Sequence, residues 1–350
     1  MNIPRPFVWL ATVAIMLWIL VAGRSYLIPI AIALVLFSLL SAMIDRLTRI
    51  RIGAWSTPRP LAIVIGLVIV AYALFLIASV LSTQVEAVIA ASPRYIARME
   101  ALLSQAAEFL GRDLADDLQK ALADINLTRR IPGLVGSAGA TVTTITLIVL
   151  YMGFMFVERG AFQQKFDRLF PDPDQSVRVR AVILSISESV QRYFSIKLLV
   201  SALTGGAAYA VMKPMGLDFA ETWALLAVLL NFIPNIGSFV ATLLPALVAL
   251  VQFDTLGPFF IIFAGVGAVQ LTIGNFLEPA LMGRSLNLSP LVIILSLTFW
   301  AIVWGIVGMF LSVPIMVIVL IVCSHIPAWR PLAVLLSRDG QIPDSEFLQE

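Results

Sequence analysis

Charge is scarce in this sequence of 350 residues: only 13% are Asp, Glu, Lys or Arg, where a soluble domain carries about 25%. The single cysteine, Cys323, excludes an internal disulfide and any multi-cysteine site, and the single histidine, His325, excludes a histidine cluster. No GxxxxGK[ST] P-loop occurs, and neither HExxH, GxSxG nor paired intramembrane aspartates are present. No enzyme and no cofactor is therefore expected, and any active transport has to draw on an ion gradient or a separate motor. A one-sided basic face is lacking too. The net charge is +2, the pI is near 8.8, and the 23 Lys and Arg residues sit at the ends of apolar runs, so nucleic acid is not an expected partner.

What fills the sequence instead is apolar: 60% of residues are hydrophobic and the mean hydropathy is +0.98. A compact soluble globule has too little interior to hide that much apolar surface, so lipid is part of the solvent. Runs long enough for a hydrocarbon core of about 30 Å occur at Phe7 to Ala22, Tyr26 to Ile44, Leu61 to Leu81, Leu134 to Val157, Ile196 to Met212 and Gly257 to Leu277. Leu20 to Gly23 makes a poor signal-peptide cleavage site, and the first run reads as a retained helix.

Basic residues set the orientation. Arg46, Arg49, Arg51 and Arg59 follow the second run, whereas only Arg24 precedes it. Both termini are thus expected in the cytoplasm, with Gln84 to Pro132 outside and Glu158 to Lys197 inside. The outer segment reads as an amphipathic helix from Pro93 to Ile125, capped by Ser92 and kinked at Gly111; the inner one as two helices, the second capped by Asp174. The expected divisions are three helices in 1–83, the outer insert in 84–132, a fourth helix in 133–157, a cytoplasmic helical segment in 158–195, a transport core in 196–325 and a tail in 326–350.

Two apolar stretches are too long for one crossing. Thr222 to Val251 has thirty residues without a charge and Ser289 to Ser324 has thirty-six, or about 45–54 Å as straight helices. The first is interrupted by Asn231, Pro234, Asn235 and Gly237; the second by Trp300, Trp304, Gly305 and Gly308, with Pro314 beyond. Each is expected to form two half-helices joined by a turn inside the membrane, a re-entrant hairpin whose irregular backbone is buried or lines a cavity. The competing reading is a pair of proline-kinked, tilted helices without a ligand. The fold class is then an all-α integral membrane protein of about eight membrane segments, two of them hairpins. Between the stretches, Gln270, Asn275, Glu278 and Arg284 place polar and ionisable groups in or next to an apolar run, where such groups are functional candidates.

Asn231-Phe-Ile-Pro234-Asn-Ile-Gly237, Pro245, and Glu278-Pro279-Ala-Leu-Met-Gly283-Arg284-Ser-Leu-Asn-Leu-Ser-Pro290 resemble, in that order, the paired signatures of the autoinducer-2 exporter family, a bacterial group of permease-like membrane proteins. The resemblance covers essentially the whole chain. It implies a plasma-membrane location, a homo-oligomer with a pentamer among the forms open to it, and export of a small polar molecule such as autoinducer-2. For some members it implies exchange of sodium or lithium for protons. The expected site joins Asn231, Asn235, Gln270 and Asn275 as polar contacts with Glu278 as the proton- or Na+-coupling group and Arg284 as its partner or an anion contact. Pro234, Gly237, Pro245, Pro279, Gly283 and Pro290 shape the backbone around them. Two rivals stand beside export: a Na+(Li+)/H+ antiporter, and a membrane scaffold that transports nothing.

Overall fold

The computed structural model describes residues 5–48, 58–110, 138–282 and 287–341. The expected kink at Gly111, the second half of the outer amphipathic helix, and Gly283 and Arg284 lie outside the described residues. The helices are α1 (Arg5–Ala22), α2 (Arg24–Leu47), α3 (Arg59–Leu110), α4 (Ala138–Leu169), α5 (Pro173–Met212), α6 (Ala220–Leu230), α7 (Ile236–Gln252), α8 (Gly257–Thr272), α9 (Glu278–Met282), α10 (Pro290–His325) and α11 (Arg330–Leu336). A π-helical turn, Ile273–Leu277, joins α8 to α9. No strand forms among the described residues; one bridge pairs Leu288 with Ser337. Among the described residues six helices are long and apolar enough to cross a membrane; the apolar part of α1, Leu10–Ala22, and α6 and α7 are shorter.

Two helix starts differ from expectation. The helix begun at Arg59 runs without a break through Pro93 to Leu110, so Ser92 is not an N-cap. No glycine lies between Gly66 and Pro93, and one proline removes one hydrogen bond without ending a helix that continues on both sides. In α5 the capping residue is Asp172, not Asp174: its carbonyl accepts from Ser176 N (2.9 Å) and its carboxylate from Asp174 N (3.1 Å), while Pro173 takes the first helical position.

The chain divides into two compact units, residues 1–71, 145–196 and 281–350 in one, 72–144 and 197–280 in the other. In the first unit Asp45 of α2 accepts from Arg59 (3.0 Å) and from Arg159 of α4 (2.9 Å), which also donates to Ser41. Its most informative element is α10, which is not one rod. At Gly305 the backbone leaves the helical region (φ 64°, ψ −141°), and Ser296 Oγ donates to Ser312 O at 3.2 Å. Those residues would lie about 24 Å apart in a straight helix. The arms, 290–304 and 306–325, therefore fold back on each other as a helical hairpin. A Cβ on Gly308 would stand 2.0 Å from Trp300 O, so only glycine lets the arms approach this closely. The residues just before the hairpin also meet the chain after it, at the end of α11: Ser289 N donates to Leu336 O (2.9 Å) and Arg338 N to Asn287 O (3.1 Å).

The second unit contains the other hairpin, α6 and α7, packed with the end of α5 and with α8. Ala208, Met212, Ala220, Ala246, Ala249, Ile262 and Val266 form its core. Small residues bring the helices close: added Cβ atoms would fall 2.3 Å from Val228 at Gly205 and 2.7 Å from Val211 at Gly265. Gln252 closes the open end of the hairpin, accepting from Asp218 N (2.7 Å) and donating to Gly216 O (2.8 Å). Arg94 and Arg98, one turn apart on α3, pair with Asp218 and Asp254 at the two ends of the hairpin.

Candidate functional site

The tip of the α6–α7 hairpin is built by the residues that interrupt its apolar run. Asn231 caps the end of α6, Ile233 N donates to Leu230 O (2.8 Å), and Gly237 N donates to Ile233 O (3.1 Å). Asn235, before α7, adopts φ 60°, a conformation that asparagine tolerates better than most residues. Pro234 has no donor to leave unpaired in the turn. A Cβ on Gly237 would lie 1.7 Å from Leu230 O, so the two half-helices can meet here only at a glycine. Pro245 is fully buried inside α7.

One face of α5 receives this tip. Lys197, Ser201 and Thr204 recur at four- and three-residue spacing, all three buried, and so form a polar stripe in an otherwise apolar segment. Asn231 Nδ2 donates to Ser201 Oγ at 3.0 Å. One turn away, Lys197 Nζ donates to Glu278 Oε1 at 2.5 Å. The stripe therefore links the hairpin tip to the acidic residue of α9.

Glu278 reaches α5 through the π turn. Pro279 has no N–H to give the Asn275 carbonyl, and its ring would clash there in a regular helix. The chain inserts one residue: Glu278 N bonds Ile273 O, five positions back. Asn275 lies in that turn with its side chain exposed, and Asn235 is exposed as well, so neither joins the buried stripe. Gln270 is buried on the α8 face that carries Ile262 and Val266, and its Nε2 has no hydrogen-bond partner in the structure. A Cβ on Gly267 would lie 3.6 Å from Thr242, and α8 runs back along α7 after a four-residue connection, which sets Gln270 level with the first turn of α7. Pro290 starts α10, away from the stripe in sequence and in the other unit.

The arrangement brings together Asn231 and Glu278 through two residues the sequence reading did not select, Ser201 and Lys197. Lys197 counts there among the basic residues of the inner segment; the polar repeat at 197, 201 and 204 was the available signal. Among the described residues no group of three or more His, Cys, Asp or Glu could hold a metal ion. At the open end of the hairpin, burial and then the hydrogen bond to Asp218 push the Tyr95 hydroxyl above its ordinary range, so it stays a donor at 2.9 Å.

Several apolar helices, broken by hairpins and carrying a buried polar face, define a multi-pass membrane protein with a polar site inside it. The family model for AI-2E family transporters matches residues 7–328, and the chain belongs to that family. It is 31% identical over 334 residues to the AI-2 transport protein TqsA of Escherichia coli strain K12, covering 92% of this chain and 93% of that one. A putative transport protein of Haemophilus influenzae is 28% identical over 359 residues, 98% of both chains. One from Borreliella burgdorferi is 34% identical over 211 residues, 60% of this chain and 57% of its own.

Proposed function

We propose that the protein is a secondary transporter or facilitator that exports a small polar molecule, with autoinducer-2 or a related signal as the first candidate. The observation that carries this reading is the buried polar stripe of α5, which meets an irregular hairpin tip at Asn231 and an ion pair at Glu278. Non-helical backbone at membrane depth is either buried in protein or lines a cavity, and in secondary transporters such broken elements build the solute site. Gln270, buried with unpartnered donors, is a ready contact for a hydroxyl- or carbonyl-bearing solute. The name of TqsA supplies the candidate solute. Asn235 and Asn275, exposed beside the tip and in the π turn, would contact solute before or after the stripe; Arg284 would serve as an anion contact.

The same reading places the chain in the bacterial plasma membrane with both termini cytoplasmic, in a homo-oligomer for which a pentamer is the first form to test. In it each helical hairpin returns to the side of the membrane from which it entered: Gln252 ties the ends of the α6–α7 hairpin, and the residues just before α10 bond the chain after α11. A sodium or lithium antiporter would need a carboxylate free to bind its cation, and Glu278 is held by Lys197. Sealed vesicles loaded with labelled autoinducer-2, with and without a pH gradient, test the function. Flux above that of vesicles lacking the protein is expected; none for autoinducer-2 or related polar solutes would overturn it.

A further inference from the structure

Among the described residues of the second unit Lys197 is the least exposed charged group, its side chain 5% exposed against 20% for Glu278. Every other ion pair among the described residues keeps both side chains at least 30% exposed. A pair withdrawn from water this far is a poor device for stability, because apolar residues of similar volume commonly serve as well or better. Its retention needs another reason. The chemistry of its partner suggests one. Glu278 offers its carboxylate, and one turn along α5 Asn231 donates through Nδ2 to Ser201, which leaves Asn231 Oδ1 and one lone pair of Ser201 as acceptors. A carboxylate largely screened from water, with neutral oxygens one helical turn away, offers donors of the kind that hard cations take. Here the place beside the carboxylate is occupied by the chain's own ammonium.

We propose that Lys197 is a tethered cation that fills an alkali-metal site at Glu278, so that the protein works without bound sodium, and that removing its charge opens the site to sodium. The idea rests on the stripe being the transport site, but its test reads ion binding and not flux. A failed autoinducer-2 assay would therefore leave this result legible, and the reverse holds too.

The chemistry is a matter of charge count. With Lys197 protonated, the pair is neutral, and a sodium ion would add an uncompensated charge in a site shielded from water. With Lys197 replaced by a neutral side chain, Glu278 is a largely shielded carboxylate without a counter-ion, and a cation that reaches it stabilises the folded protein by mass action.

The experiment compares thermal unfolding of the purified full-length protein in NaCl and in N-methylglucamine chloride of equal ionic strength. The wild type should melt at the same temperature in both. Lys197→Met should melt higher in NaCl, by about 2 °C or more, or be recoverable only when prepared in NaCl. Lys197→Met combined with Glu278→Gln should be recovered and lose the preference. A sodium-specific rise in the wild type would overturn the proposal. So would a Lys197→Met protein that behaves alike in the two salts, or one lost in both.

Discussion

Asn231 donates to Ser201 across 3.0 Å, and this one bond fixes the tip of the α6–α7 hairpin against the polar face of α5. Both residues are buried, Ser201 completely. Gln252, Asp218 and Gly216 close the other end of the hairpin, and Gly205 of α5 packs on Val228 of α6, so the Asn231–Ser201 bond completes the seating of the tip along α5.

Ser201→Ala leaves the Asn231 amide buried with a donor unpaired, at a cost of about 1–3 kcal/mol. The expected outcome is a lower melting temperature with the protein still inserted. Ser201→Thr, which keeps the hydroxyl, should lose less. Equal loss in the two variants would show that volume, and not the hydrogen bond, governs the position.

Gly237→Ala drives a Cβ to within 1.7 Å of the Leu230 carbonyl, a backbone atom that cannot yield without opening the tip. Overpacking of this kind costs about 1–3 kcal/mol or more, and Gly305→Ala meets a comparable penalty for another reason, its φ of 64° with ψ of −141°. Both variants should reduce the yield of folded protein from membranes, whereas Gly153→Ala, where nothing lies within 4 Å, should not. Normal yield of Gly237→Ala would mean the tip is looser than described.

At the open end, the Arg98–Asp254 pair leaves Asp254 92% exposed, and exposed pairs of this type contribute about 0–1 kcal/mol. Asp254→Ala should therefore be nearly silent in thermal unfolding. Asp218→Ala removes the shared acceptor of Arg94 and Tyr95 and should lower stability more. The reverse ranking would contradict the assignment of Asp218 as the anchor of α3 on the hairpin.

Topology gives a test independent of stability. If both hairpins dip into the membrane and return, Asp254 is outside and Ser285 is cytoplasmic. Eight full crossings reverse the two. In a Cys323→Ala background, a membrane-impermeant thiol reagent applied to intact cells should label Asp254→Cys and spare Ser285→Cys. The opposite pattern would mean eight crossings.

The hairpins were legible in the sequence because length is a hard constraint: thirty and thirty-six uncharged residues cannot cross once as straight helices, and Pro234 with Gly237 marks one break. At the other, four candidates stood in a row, and only the backbone singles out Gly305 as the hinge and Gly308 as the close contact. The α5 cap was misplaced by two residues because Asp172 and Asp174 flank Pro173 with equal chemistry; the preference of proline for the first helical position decides between them. Glu278 was legible as an ionisable group beside an apolar run. Its partner was not, since Lys197 lies 81 residues earlier at the edge of a charged segment, and a charge at such an edge looks solvated until the fold buries it. Asn235 and Asn275 were chosen for residue type, and the fold exposes both.

If solute passes the hairpin tip along the α5 stripe, flux through a protein altered only at the tip must fall. Asn231→Leu combined with Asn235→Leu removes both amides while keeping side chains of similar length. Reconstituted in sealed vesicles at matched protein content and compared with wild type for labelled autoinducer-2, the double variant should insert normally and lose transport by about tenfold or more, the scale of one lost polar contact of about 1.4 kcal/mol. Wild-type flux in a correctly inserted double variant would contradict the account.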